Sequence, residues 1–310
     1  RILMAMTDVL RPGILQLRVL DLEEAIAHYR DRIGLDLVEV APDGRAYLKA
    51  YDEFDRHSIV LRQADESGLD TVAFKVSSGT ALDALALRLR NAGIATTTIP
   101  EGEQPGVGRR VRFAVPTGHR IELYATIALS DQGPMVTNPD LWRTEPRGMR
   151  VLRFDHCLLH GGDIEGTAKI LTDVLGFATS EVAVTPDGQP IAIFLSCGMK
   201  AHDIALVRHH EDGKLHHVSF LLESWSDIGH AADLIAQHNI SLDIGPTRHG
   251  ATRGQTIYFF DPSGNRNEVF SGGYQFYPDN PTRTWTADQA GKAIFYYDKK
   301  LNDTFLSVVT

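Results

Sequence analysis

Apolar residues at every second position mark residues 14–19 as a strand. Leu15, Leu17 and Val19 form one face, and Ile14, Gln16 and Arg18 the other. Asp21-Leu22-Glu23-Glu24 then opens a helix as a capping box, and the helix runs through Ile33 until Gly34 stops it. Alternation returns in short runs at 37–41, 46–50 and 58–62, with Pro42-Asp43-Gly44 as a turn. The β-α-β-β-β plan then repeats. Residues 72–76 read as a strand, Thr80-Ala81-Leu82-Asp83 caps a helix ending near Asn91-Ala92-Gly93, and strands continue to Tyr124.

The same skeleton recurs in the second half. Asp163 precedes a helix ending at Gly176, and Ser224-Trp225-Ser226-Asp227 precedes one ending near His238-Asn239. Gly34-Leu35 aligns with Gly176-Phe177, and Pro116-Thr117-Gly118-His119-Arg120-Ile121-Glu122 with Pro262-Ser263-Gly264-Asn265-Arg266-Asn267-Glu268. The expected fold is α+β, with duplicated domains, each of two βαβββ modules, forming a curved mixed sheet around a central site. The first domain spans 1–129, a Pro/Gly-rich linker 130–150, the second domain 151–272, and a tail 273–310 with a helix over 288–301. At this length each domain is large enough for its own core.

The register sets His156 opposite Ile14, His217 opposite Thr71 and Glu268 opposite Glu122. Alternation then sorts these side chains by face. His156 shares parity with Ile14, away from the helices. Val218, Phe220 and Leu222 line the helix side of their strand, which sends His216 to the helices and His217 inward. Glu268 lies between Asn267 and Val269, and Tyr258 between Ile257 and Phe259, so both face inward too. Two imidazoles and a carboxylate on one face suit a non-haem Fe(II) centre with open positions. Zinc accepts the same set, and spacing alone does not choose between them.

Composition narrows the classes. A net charge of −9 with no basic stripe argues against a nucleic-acid or membrane-surface partner. No apolar run reaches the roughly 18–20 residues that cross a bilayer, and the apolar opening at residues 1–6 is too short for a secretory core. Cys157 and Cys197, with no CxxC, suit a reducing cytoplasm. Three of the thirteen histidines precede residue 150 and ten follow it, in keeping with a site in the second half alone.

The run His249-Gly250-Ala251-Thr252-Arg253-Gly254-Gln255-Thr256-Ile257-Tyr258-Phe259-Phe260-Asp261-Pro262-Ser263-Gly264-Asn265-Arg266-Asn267-Glu268 resembles the signature of the type I extradiol ring-cleavage dioxygenases. Phe154-Asp155-His156, Lys200-Ala201-His202-Asp203 and Leu215-His216-His217-Val218 add to it, and the likeness runs from about Arg11 onward, nearest to the catechol-cleaving branch. These enzymes belong to the vicinal oxygen chelate superfamily. The resemblance implies Fe(2+) held by His156, His217 and Glu268, with His202, His249 and Tyr258 as acid-base residues. It implies O2-dependent cleavage of catechols to 2-hydroxymuconate semialdehyde or its analogues, and a homotetramer. Ala251, Phe194 and Phe305 are expected to line the substrate pocket, with Ala251 small where relatives carry a larger aliphatic residue. Rival readings are a 2,3-dihydroxybiphenyl-type dioxygenase, a glyoxalase-like isomerase lacking its second ligand pair, and a metal-free sequestering protein on the same scaffold.

Overall fold

A computed structural model describes residues 8–310; the apolar opening at residues 1–6 lies outside the described residues. Among the described residues there are two mixed sheets, of eight and nine strands. In the second, Arg153–Gly161 and Lys214–Leu221 pair antiparallel at the centre. Each is flanked by a parallel partner, Ile204–Arg208 on one side and Arg266–Gly272 on the other. Pro190–Ser196 and Ala178–Val184 extend one wing, and Gly254–Phe260 and Leu242–Arg248 the other. The first half repeats this order around Val9–Val19 and Gly68–Val76.

Local chemistry explains the element ends. The Asp21 carboxylate accepts from the Glu24 amide and opens Leu22–Ala27, which continues as π-helical turns over His28–Ile33. Gly34 ends it at φ 98°, and a Cβ there would lie 2.1 Å from the Arg147 carbonyl. The end of the expected linker is therefore docked on this helix stop, where the Met149 amide also reaches the Arg32 carbonyl at 2.9 Å. Ser78, not Thr80, caps the next helix, Gly79–Asn91, because its Oγ accepts from the Ala81 amide. In the second half Asp163 caps Ile164–Lys169, and a Ser224–Asp227 capping box opens Trp225–Gln237.

One cluster of buried apolar side chains runs through both halves, from Leu15, Leu17 and Val72 to Leu159, Val218 and Val269. The two halves thus share a helix-side core rather than building one each. Their contact is reciprocal and uses equivalent loops. The Thr117 carbonyl and the His119 ring meet Gly213 and Lys214, while Ser263 and Asn265 meet Leu20 and Arg18.

The expected helix over 288–301 is only one turn of 3-10 helix, Ala287–Gln289, and Ala290–Ile294. The physical reason is a competing set of bonds. The Ala293 carbonyl accepts from the Gly250 and Ala251 amides at 2.9 and 2.8 Å, and the Ile294 carbonyl from His249 Nδ1. A carbonyl committed to the neighbouring loop is lost to helix propagation. The tail also adds Arg283–Thr286 as a parallel strand at the sheet edge and a short helix, Asp303–Ser307. No helix among the described residues is long and apolar enough to cross a membrane.

Candidate metal centre

The concave faces of the two sheets have been put to different uses. In the first half, Ile14, Tyr47, Val60, Ala73 and Tyr124 fill it with apolar side chains. Gly13 makes this filling possible, since a Cβ there would meet the Tyr124 hydroxyl at 1.9 Å. Glu122 is buried and paired with Arg110 Nε at 2.7 Å and Arg112 Nη2 at 2.6 Å. In the second half the corresponding face is a cavity of about 700 Å³.

His156, His217 and Glu268 meet at the floor of that cavity. Strand alternation delivers His156, since Cys157 and Leu159 enter the shared core behind it. Glu268 Oε2 lies 3.0 Å from His156 Nε2 and 3.4 Å from His217 Nε2. The three ligand atoms lie within 4.8 Å of one another, and all three residues are buried. Donor atoms about 2.0–2.2 Å from a shared ion stand roughly 3 Å apart, so this spacing fits a metal. His217 Nε2 is buried with no hydrogen-bond partner among the described residues, as an atom reserved for an ion would be.

The electrostatics favour a cation. Burial alone would raise Glu268, but the imidazoles of His156, His217 and His249 around it hold it well below the usual carboxylate range. Burial brings His217 down to about 4, so its ring is neutral and able to ligate at neutral pH. Burial also pulls on His156, yet Asp155 and Glu268 outweigh it and raise its value. Asp155 Oδ2 accepts from His156 Nδ1 at 2.9 Å, which leaves Nε2 turned to the site. Lys200 braces Asp155 at 3.2 Å and Asp203 at 2.9 Å, tying the loop before His202 to the ligand strand.

The other expected site residues line the same cavity. His202 lies tilted beside His156 with ring centroids 4.0 Å apart, and Phe194 meets His202 edge-on at 5.4 Å. Burial and then the charge of His156 push His202 well below its usual value. Tyr258 packs on His217 at 5.2 Å, and its hydroxyl lies 2.9 Å from His249 Nε2. Phe305 comes from the tail and roofs Tyr258 at 5.1 Å. Ala251 sits in the wall, where its amide bonds the tail.

His216 departs from expectation. It does not face the helices; it lines the cavity beside His217. Leu215 pairs with Leu159 and His217 with Leu158, so His216 is an extra residue, a β-bulge. The first half has the same bulge at Asp70, where Gln16 pairs with Thr71 and Leu17 with Leu69. The sequence holds a signal for it: Leu215 and Val218, like Leu69 and Val72, are core residues three apart on a period of two. His160 also lines the cavity, and burial lowers it to about 3.

A concave His-His-Glu cluster on paired βαβββ modules places the protein in the glyoxalase and dioxygenase class. Residues 153–269 match the Glyoxalase/Bleomycin resistance protein/Dioxygenase superfamily, and residues 69–127 the catechol 2,3-dioxygenase-like N-terminal domain. A metapyrocatechase from Pseudomonas sp. strain CF600 is 52% identical over 97% of this chain and 99% of its own length. A manganese-dependent 2,3-dihydroxybiphenyl 1,2-dioxygenase from Geobacillus genomosp. 3 is 26% identical over 95% of both chains. Among solved structures, the 2,3-dioxygenase LapB from Pseudomonas sp. KL28 superposes with a TM-score of 0.89 at 48% identity, covering 92% of this chain and 99% of that one. The chain belongs to the metapyrocatechase (catechol 2,3-dioxygenase) family of extradiol dioxygenases.

Proposed function

We propose that this protein cleaves catechols beside their vicinal hydroxyls, using O2 at ferrous iron held by His156, His217 and Glu268. The observation that carries this reading is the convergence of three ligand atoms, one of them the partnerless His217 Nε2, beneath a largely apolar cavity. Bound ferrous iron would supply a common docking point for both catechol oxygens and O2, and a route for electron density between them.

The protein's own groups handle protons and water. The Ile294 carbonyl can only accept, so His249 carries its proton on Nδ1 and offers a bare Nε2. That nitrogen is placed to take a catechol proton, in competition with the Tyr258 hydroxyl it now receives. Burial, then Glu268, hold the Tyr258 phenol well above its usual value, so it acts as a hydrogen-bond donor to a substrate oxygen. Neutral His202 lines the same cavity and can donate a hydrogen bond to a reactant oxygen there. Leu158, Ala192, Phe194 and Phe270 line the walls and keep bulk water from the intermediate stages. Catechol plus one O2 balances to 2-hydroxymuconate semialdehyde, with both oxygen atoms retained.

The test is metal-free protein reloaded anaerobically with Fe(II), Mn(II) or Zn(II), then mixed with aerated catechol. The Fe(II) form should take up one O2 per catechol and yield a yellow semialdehyde. The zinc and metal-free forms should be inert, and undiminished uptake by metal-free protein refutes the proposal. The manganese arm matters because one relative is named as manganese-dependent.

Ala251 sets the pocket's size in this reading. Replacing it with leucine should lower kcat/KM for 4-methylcatechol relative to catechol by about 10-fold, the scale for a methylene or two crowding a hydrophobic pocket. An unchanged ratio in competition assays would remove Ala251 from that role.

A further inference from the structure

We infer that His216 is a positioning residue that fixes the tautomer of the ligand His217, on an instruction from the backbone carbonyl of Phe305 in the tail. The inference rests on the metal site proposed above and assigns work to a residue outside the ligand set.

The direction of the relay follows from donor and acceptor chemistry. His216 Nε2 lies 2.7 Å from the Phe305 carbonyl, which can only accept, so Nε2 carries a proton. A neutral imidazole has one N–H, which leaves His216 Nδ1 bare. His217 Nδ1 lies 2.7 Å away and must therefore donate. With its proton committed there, His217 keeps a lone pair on Nε2, the nitrogen that has no partner and stands 3.4 Å from Glu268 Oε2. Without the relay, His217 would be free to place its proton on Nε2 and give it to Glu268. That tautomer serves the carboxylate and refuses an ion.

Three features hold the relay in place. The bulge turns His216 to the same side as His217, which strict alternation forbids. Its ring lies parallel to His160 at 4.9 Å and meets the Phe305 ring at 4.4 Å, so it is packed on two sides. Arg266 ties the helix of the tail to the bulge: Nη1 donates to the His216 and Val308 carbonyls, and Nη2 to the Thr304 carbonyl at 2.8 Å. The tail treats His249 in the same manner through the Ile294 carbonyl. Two carbonyls of one segment thus set the tautomers of two imidazoles.

The experiment uses full-length metal-free protein with 15N-labelled histidine, and zinc as a diamagnetic probe. In the wild type, His217 should already be in the Nδ1–H form before any ion is added. His216→Leu removes the acceptor; it should mix the tautomers of His217 and weaken zinc binding 10–100-fold, the range for partners of a ligating histidine. His216→Asn keeps an acceptor oxygen where Nδ1 stood and should restore both properties to near wild type. An Nε2–H form of His217 in the metal-free wild type overturns the inference and needs no variant. Folded His216→Leu protein with wild-type zinc affinity overturns it too. If the wild type binds no zinc, the metal site itself is refuted and the relay falls with it.

Discussion

His217→Ala is expected to abolish catechol-dependent O2 uptake and to lower Fe(II) affinity by more than about 100-fold. The floor for this figure is the 10–100-fold cost of losing only a partner of a metal-binding histidine; His217 is itself a ligand in the proposed site. Its Nε2 has no other employment in the fold, so the variant deprives no protein group of a hydrogen bond except His216 Nδ1. The loss should therefore show in iron content after gel filtration while the far-ultraviolet circular dichroism stays native. Stoichiometric iron in folded His217→Ala protein would place the metal elsewhere. The first half shows why the site cannot simply be shifted there. Thr71 and Ile14 hold the positions of the two histidines, and the remaining carboxylate, Glu122, is already neutralised.

The second large effect concerns that neutralised carboxylate. Glu122→Ala is expected to destabilise the protein by about 1–3 kcal/mol, because it leaves the buried Arg110 guanidinium with the more exposed Glu103 carboxylate in place of two acidic partners. The side chains of Arg110 and Glu122 are 1% and 2% exposed, so water cannot rescue either one alone. A combined Arg110→Met and Glu122→Leu replacement should recover much of the loss, since apolar residues of similar volume often replace a buried ion pair without cost. Urea unfolding of both variants measures this, and a single-variant loss under about 1 kcal/mol would show that the pair carries little. Glu122 and Glu268 occupy equivalent strand positions and face the same way. One meets arginines and the other meets imidazoles, and this difference in partners separates a structural carboxylate from a ligating one.

Alternation of apolar positions was enough to place His156, Glu268 and Tyr258 on the concave face, because the strands around them keep a period of two. It misassigned His216 because the bulge inserts one residue without changing composition. The odd spacing of Leu215 and Val218 is the trace the bulge leaves. The repeat itself was legible from glycines and prolines at the ends of helices and strands, where backbone geometry restricts the choice of residue. The tail was legible only in part. Ala290, Ala293 and Ile294 have helical spacing, but whether a carbonyl bonds along the chain or across to residues 249–251 is decided by tertiary contacts. Glu181 escaped notice for the same reason. It is buried, and its three hydrogen-bond donors, Thr252, Tyr274 and Trp285, lie 71 to 104 residues away in the chain.

Synthesis runs from the first residue to the last, and the ceiling over the ligand floor comes from residues 293–305, after every ligand has been made. A polypeptide emerging from the ribosome as far as Gly272 holds eight of the nine strands of the second sheet and the three side chains of the proposed metal site. What it lacks is Phe305 and its neighbours overhead, so the proposed site would lie more open to solvent. On the proposed reading, an ion would meet fewer side chains on its way to the site before the last segment packs than after it.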